Sequence, residues 1–218
     1  MLGLGSSIYS NVTSLDDTAT VYTPGVVQPW TGTLGLRWWY VSNQNDNPAV
    51  GEWVGSEGAS RQMQQTVTAK QPSIVNTTPG YAEFDGSNDF YRLADSVDTV
   101  EIAASRAATF MFVYKINTID ADHAIVSGGQ GLNTKFSFPA NDRFRLETET
   151  AQQLFVANGV TPFTTSGIKV LFVQRDSNGA VSLYQQGGGT LEAIPLDNSS
   201  SVNTTSNTVI KLNQMSGI

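Results

Sequence analysis

The segment GYAEFDGSNDFYRLA (residues 80–94) places five small or polar residues, at positions 85–89, between two flanks rich in aromatic residues. Glycine tolerates positive φ, and Asp, Ser and Asn side chains hydrogen-bond to nearby backbone amides, so this composition favours a turn. The flanks contain Tyr81, Phe84, Phe90 and Tyr91, residue types that favour strands. The segment therefore predicts a β-hairpin with its tip at residues 85–89.

A second hairpin is predicted in GIKVLFVQRDSNGAVSLYQQGGG (residues 167–189), because Asn-Gly at its centre is a strong signal for a tight turn. Between the two hairpins, TFMFVYKIN (residues 109–117) is almost continuously apolar, which predicts a central strand covered on both faces. We expect both faces of this strand to be largely buried, together with apolar residues of the hairpins: Phe110, Phe112, Tyr114, Met111, Val113, Phe84, Leu171 and Val173.

The same succession of short strands and turns continues to a last predicted strand at 208–212. Only DTVEIAASRAA (98–108) has helical character. Residues 1–33 are rich in Thr, Ser and Gly and show no helical period, which indicates an extended N-terminal arm. The sequence therefore predicts an all-β protein, with an antiparallel β-sandwich at 34–218 and an arm at 1–33.

Composition narrows the classes of function. The chain has 218 residues, a net charge of −7 and a pI near 4.6, so nucleic acid is not an expected partner. No apolar run approaches the ~20 residues that a membrane-spanning helix needs, so we expect no membrane association. The first basic residue is Arg37, which argues against a secretory signal. Cysteine is absent, which excludes a disulfide scaffold and a cysteine nucleophile and fits folding in a reducing cytosol.

Four segments follow an early Trp38-Trp39 strand and Trp53 in the order KQPSIV, FDGSNDFYRL, TFMFVYK and KVLFVQRDSNGAVSLYQQG. Taken together, over residues 34–189, they resemble the laminin-G/concanavalin-A-like jelly-roll superfamily of lectins, glucanases and pentraxins. The resemblance implies that the sandwich is a jelly roll. The opening MLGLGSSI, followed by Ser/Thr-rich sequence, is similar to the start of structural proteins of marine tailed bacteriophages. That similarity implies a protein that folds in the host cytoplasm and is then exposed on the outside of a virion.

The C-terminal end departs from the superfamily pattern. Members of the superfamily usually finish with a strand that returns to the first sheet, and here the sequence ends at Ser216-Gly217-Ile218, about where that strand should begin. An open sheet edge invites aggregation. We therefore expect a different closure of the fold, a strand supplied by a partner chain, or a missing C-terminal piece.

A catalytic triad is not predicted. His123 is the only histidine, and it could form a Ser-His-Asp triad with Ser127 and either Asp120 or Asp122. However, no nucleophile-elbow sequence surrounds any serine of the chain.

A pair of carboxylates offers a second comparison with enzymes. Glu147 and Glu149 in RFRLETET lie two residues apart on one predicted strand, a spacing of ~6.5–7 Å that would suit a glycosidase. The third acidic residue of the glycosidase pattern is missing, since Ala151 stands there. Arginines share the same face, as on an ordinary solvated sheet. We therefore predict no enzyme.

Calcium is the one cofactor that the sequence leaves open. Asp85, Asn88 and Asp89 cluster at one loop tip, while Asp120 and Asp122 lie at another, and such oxygen ligands suit Ca²⁺. The backbone geometry of a turn also explains the residues at 85–89, and we favour that interpretation.

The predicted function is that of a non-enzymatic virion structural protein, either a capsid decoration or a component of the tail or a fibre. Its partners would be other virion proteins and further copies of itself, in a trimer by analogy. The arm carries no charged side chain before Asp16, and we expect it to bury apolar residues against another chain: Leu2, Leu4, Ile8, Tyr9 and Val12. The alternative is an adhesin that binds a host-surface glycan, with or without calcium, using exposed aromatic residues such as Trp30. A glycoside hydrolase is the weakest of the three hypotheses.

Overall fold

The computed structural model describes residues 52–53, 63–75, 81–93, 100–104, 106–116, 119, 122–128, 134–140, 142–148, 152–157, 163, 167–187, 190–198, 209–212 and 214–216. The predictions for the arm (1–33), for the strand around Trp38 and Trp39, for Asp120 and for Glu149 lie outside these ranges.

The described residues form sixteen strands and one 3₁₀ turn at Thr68–Lys70. The strands are β1 (Glu52–Trp53), β2 (Met63–Gln64), β3 (Ser73–Val75), β4 (Tyr81–Glu83), β5 (Phe90–Leu93), β6 (Val100–Ile102), β7 (Ala108–Tyr114), β8 (His123–Ser127), β9 (Lys135–Ala140), β10 (Arg143–Glu147), β11 (Gln152–Val156), β12 (Lys169–Arg175), β13 (Val181–Gly187), β14 (Thr190–Ile194), β15 (Ile210–Leu212) and β16 (Gln214–Ser216).

The strands assemble into two main sheets. One has eight strands in the order β1-β2-β5-β16-β8-β9-β10-β11, and the other has four in the order β14-β13-β12-β7. Two smaller sheets pair β15 with β6 and β3 with β4. Every pairing among the described strands is antiparallel, and these residues contain no α-helix, so the all-β prediction is confirmed.

Aromatic side chains hold the two main sheets face to face. Phe136 of the eight-stranded sheet lies 4.8 Å from Phe110 and 5.7 Å from Phe112 of the four-stranded sheet, measured between ring centroids. Tyr114 and Phe138 meet across the same interface at 5.2 Å. Such contacts add to the burial of the rings and make one continuous core between the sheets.

The strand that was predicted to be central is an edge strand among those described. β7 pairs with β12 alone, and only one of its faces, with Phe110 and Phe112, packs on the core. The predicted burial is confirmed for Leu171 and Val173, which are both fully buried. It is only partly met elsewhere, since the remaining side chains of that prediction are half-buried: Phe84, Phe110, Met111, Phe112, Val113 and Tyr114.

The second predicted hairpin forms, because β12 pairs with β13. The first does not form as a hairpin: β4 pairs with β3, whereas β5 pairs with β2 and β16, so the turn at 85–89 connects strands of two different sheets. In the second, Asp176 Oδ1 accepts hydrogen bonds from the backbone N–H groups of Asn178 at 2.8 Å and Ala180 at 2.9 Å. Gly179 takes a φ of 86°, a left-handed conformation that glycine adopts without a Cβ clash. Asp176 therefore closes the turn that the Asn-Gly pair predicts.

The helix predicted at 98–108 is wrong. Val100–Ile102 is a strand that pairs with β15, and Ala108 already belongs to β7. Arg175, at 3% exposure, donates from Nη2 to the carbonyl oxygens of Ala103 and Arg106, each at 2.8 Å. Pairing with a distant strand outweighs the weak helix propensity of this alanine-rich segment.

The C-terminal residues supply two strands of their own. β15 forms at Ile210–Leu212, as predicted, and β16 lies inside the eight-stranded sheet between β5 and β8. At this position in the eight-stranded sheet the chain therefore provides its own strand.

Candidate functional site

The outer face of the eight-stranded sheet carries a row of polar residues that crosses seven of its strands, from β2 to β11. Register partners on neighbouring strands share a face, and successive pairings link seven of them into one line. This cross-sheet row is Gln64, Arg92, Gln214, Ser127, Lys135, Glu147 and Gln152. The row presents hydrogen-bond donors, acceptors and both signs of charge on one surface.

Ionic contacts join Lys135 and Glu147 of the row to Asp122 and Arg145 beside it. Asp122 Oδ2 accepts hydrogen bonds from Lys135 Nζ at 2.6 Å and from Arg145 Nη2. Arg145 Nε also lies 3.5 Å from Glu147 Oε2. Burial alone would raise the pKa of Asp122, but the hydrogen bond from Lys135 and the two positive charges hold that pKa below its usual value of 3.8. The charges in this part of the sheet therefore partner one another.

The candidate catalytic residues are only partly described. Glu147 faces outward, and its Oε2 lies 3.5 Å from Arg145 Nε. A glycosidase needs one of its two carboxyl groups protonated, and its second candidate here, Glu149, lies outside the described residues.

The triad candidates are not brought together either. His123 is the register partner of Phe138, whose ring is in the core, whereas Ser127 is the partner of Lys135 on the outer face. A register irregularity between Ala124 and Val126 separates the two positions. His123 and Ser127 therefore belong to opposite faces of the sheet.

The turn at 85–89 is organised by its own carboxylates. Asp85 Oδ1 accepts hydrogen bonds from the backbone N–H groups of Ser87 at 2.8 Å, Asn88 at 3.1 Å and Asp89 at 3.3 Å. Asp89 Oδ2 in turn accepts from the Asp85 N–H at 2.9 Å. Gly86 has a φ of 73°, which allows the sharp turn. The hydrogen bond from Ser87, with those from the next two residues, lowers the pKa of Asp85 below its usual value of 3.8.

This geometry accounts for all three candidate calcium ligands without a metal. Asp85 and Asp89 use carboxylate oxygens to fix the turn, and Asn88 contributes its backbone amide. Within the described ranges no group of three or more His, Cys, Asp and Glu residues is arranged to hold a metal ion. The calcium site stays a prediction that a metal titration can test.

The sequence did not reveal the cross-sheet row, because the row depends on the register of strands that are distant along the chain. Its only local signal was the alternation of charged and apolar residues in RFRLETET.

Comparisons of the chain with protein-family models, with curated proteins and with solved structures gave no match. In the part of the chain that the structure describes, no helix is long and apolar enough to cross a membrane.

Proposed function

We propose that this chain is a non-enzymatic structural protein of a phage particle, attached to the particle by its N-terminal arm. The proposal includes a jelly-roll topology of the laminin-G/concanavalin-A type and a position on the outside of the virion, on the capsid, the tail or a fibre. Other virion proteins and further copies of the chain are its partners.

The observation that supports the non-enzymatic part is the pairing of the charged groups on the eight-stranded sheet. Asp122 is bonded to Lys135 and Arg145, and Glu147 lies beside Arg145. A carboxylate whose pKa is lowered by neighbouring cations, as that of Asp122 is, suits a stable surface better than general-acid catalysis.

The support for attachment by the arm is energetic. Ordering a Gly- and Ser-rich segment costs roughly 1–2 kcal/mol per residue in backbone entropy. Residues 1–15 contain no charged side chain that would favour a solvated, extended chain, and they do contain Leu2, Leu4, Ile8, Tyr9 and Val12. Contact of these apolar residues with another subunit offsets the entropic cost.

Quantitative mass spectrometry of purified particles tests the proposal. We expect the chain to co-sediment with particles at a fixed copy number, which a contaminating enzyme would not show. A chain that stays wholly in the soluble fraction of an infected culture would exclude a structural role.

One observation favours glycan binding as a second function. The cross-sheet row includes three half-buried carboxamides, those of Gln64, Gln152 and Gln214, on the outer face of the eight-stranded sheet. Carboxamides can donate to and accept from sugar hydroxyl groups. A glycan array probed with the full chain, with Ca²⁺ and with a chelator, tests this function. Binding should be lost in Gln64→Ala and kept in Gln174→Ala, which is exposed on the other main sheet. An array without any bound polysaccharide would remove the adhesin hypothesis.

The hydrolase hypothesis has a matched test of its own. If the chain released reducing sugar from a polysaccharide, Glu147→Gln should abolish that release. We expect no release from the unmodified chain.

A further inference from the structure

Among the residues that the structure describes, none on the outer face of the four-stranded sheet is charged. Residues on β12 alternate, so that Leu171 and Val173 enter the core while Val170, Phe172 and Gln174 face outward. Register partners extend these outward positions over all four strands. The resulting surface, called the uncharged outer face below, consists of Thr109, Met111, Val113, Val170, Phe172, Gln174, Ser182, Tyr184, Gln186, Leu191 and Ala193.

Two rows of this face are mainly apolar. One is Val113-Val170-Gln186-Leu191 and the other is Met111-Phe172-Tyr184-Ala193. Within the single chain these side chains are not fully covered, and Leu191 is 53% exposed. A contiguous apolar patch of this kind on a sheet is typical of an interaction surface.

The N-terminal arm has a matching pattern. In an extended segment alternate residues point to the same side. Leu2, Leu4, Ile8 and Val12 all occupy even positions, with only Ser6 and Ser10 between them. If residues 2–12 are extended, they therefore present one apolar edge.

The charges on the two main sheets indicate which of them can bind the apolar side of residues 2–12. The outer face of the eight-stranded sheet carries Arg92, Lys135 and Glu147, whose burial under an apolar segment would remove their hydration without supplying a partner. The uncharged outer face loses no ionic hydration when it is covered.

We propose that residues 2–12 of one copy of the chain dock on the uncharged outer face of a neighbouring copy. The incomplete burial of this face within the single chain is the reason for assigning the segment to a neighbour. This inference rests on the proposed attachment by the arm and specifies where the arm binds.

The absence of cysteine allows a direct crosslinking test on the full-length chain. One preparation carries Ile8→Cys, a second carries Leu191→Cys, and the control carries Gln64→Cys on the outer face of the eight-stranded sheet. The preparations have tags of different mass and are mixed in pairs with a short bismaleimide. We expect at least tenfold more of the mixed product between positions 8 and 191 than between positions 8 and 64.

Three outcomes of the crosslinking would overturn the inference. Equal yields for the two pairs would show no preference for the uncharged outer face. A predominant product between two Leu191→Cys chains would show that two faces pack on each other. Linkage only within a single chain, in the double variant Ile8→Cys/Leu191→Cys, would assign the arm to its own domain.

A charge placed on the face gives an independent measurement. Leu191→Asp changes an exposed side chain, so the fold should be retained, and circular dichroism checks this. Light scattering after size-exclusion chromatography should show at least a tenfold weaker self-association than for Gln64→Asp. Unchanged self-association would contradict the inference. The arm could be needed for incorporation into particles while the chain shows neither the preferred crosslink between positions 8 and 191 nor the weaker self-association of Leu191→Asp. In that case the proposed function stands and the docking site is elsewhere.

Discussion

Leu171 on β12 and Phe112 on β7 are register partners on the inner face of the four-stranded sheet, yet their burial differs. Leu171 is fully buried, whereas Phe112 is half-buried because β7 lies at the edge of the described sheet. The contribution of each side chain to stability should follow this difference rather than side-chain size.

Leu171→Ala should lower the free energy of unfolding by about 2–5 kcal/mol, as expected for a fully enclosed leucine. Val170→Ala changes the preceding residue, which is half-buried on the outer face of the sheet. It should lower the free energy of unfolding by about 1 kcal/mol, because each fully buried CH₂ contributes ~0.8 kcal/mol. Phe112→Ala should cost less than the ~3–5 kcal/mol of an enclosed phenylalanine. Urea denaturation measures all three, and equal losses for Leu171→Ala and Val170→Ala would mean that the faces of β12 are wrongly assigned.

Asp85→Ala should lower the melting temperature more than Asp85→Asn, because asparagine keeps an oxygen that can accept the three amide hydrogen bonds. The native pKa of Asp85 is lowered, so its stabilising effect is present above the usual pKa of 3.8 and is lost as the pH falls through the lower native value. Melting curves at several pH values below 5 check this, and the acid-sensitive part should be absent from Asp85→Ala.

The same turn provides the calcium test. If the carboxylates at 85–89 serve only the turn, millimolar Ca²⁺ and a chelator should give the same melting temperature. A rise with Ca²⁺ that Asp85→Ala abolishes would instead establish the metal site.

Tyr114→Phe should cost about 1 kcal/mol at neutral pH, because it removes the hydrogen bond from Tyr114 Oη to Gln185 Oε1, which measures 2.9 Å. Burial raises the pKa of the Tyr114 hydroxyl above its usual value of 10.0. The native state therefore keeps this proton while the unfolded chain loses it, so stability should fall as the pH rises above about 10.

The loss of stability above pH ~10 should be smaller in Tyr114→Phe than in the wild type. Tyr184→Phe, an outward-facing control, should leave the free energy of unfolding at neutral pH nearly unchanged. An identical alkaline fall in the wild type and in Tyr114→Phe would contradict the buried position of this hydroxyl.

Arg175→Lys should destabilise the connection between β6 and β7 by about 2–3 kcal/mol, since hydrogen bonds from charged donors are worth about 1.5–3 kcal/mol. The guanidinium reaches the carbonyl groups of both Ala103 and Arg106, a geometry that an ammonium group does not reproduce. Hydrogen exchange should become faster in this connection, and the exposed control Gln174→Lys should leave it unchanged. Unchanged hydrogen exchange in Arg175→Lys would show that the two hydrogen bonds from Arg175 do not stabilise this connection.

Local chemistry made the turns at 85–89 and 176–179 predictable, but it did not reveal that the strands flanking the first turn pair with other strands. In each turn an aspartate accepts backbone hydrogen bonds and a glycine takes positive φ, and both requirements are visible in a few consecutive residues. Long-range pairing was not predictable in this way. The strand at Val100–Ile102 depends on Ile210–Leu212, which lie more than a hundred residues away, so local composition wrongly favoured a helix.

The candidate surfaces were less predictable still. A shift of one residue in register moves every side chain of a strand to the other face, so neither the cross-sheet row nor the uncharged outer face could be inferred from single segments. Met111 and Val113 show this limit, because their apolar character predicted a covered face and the structure turns them outward.

The central claim is that residues 1–33 attach the sandwich to a phage particle, and incorporation of an arm-deleted chain tests it most directly. Tagged full-length chain and tagged chain lacking residues 2–15 are produced during infection, and copies per purified particle are counted by mass spectrometry. Circular dichroism of the shortened chain first establishes that it is folded. The account predicts that the full-length chain is incorporated and that the folded, shortened chain stays in the soluble fraction. Equal copy numbers for the two chains would contradict it.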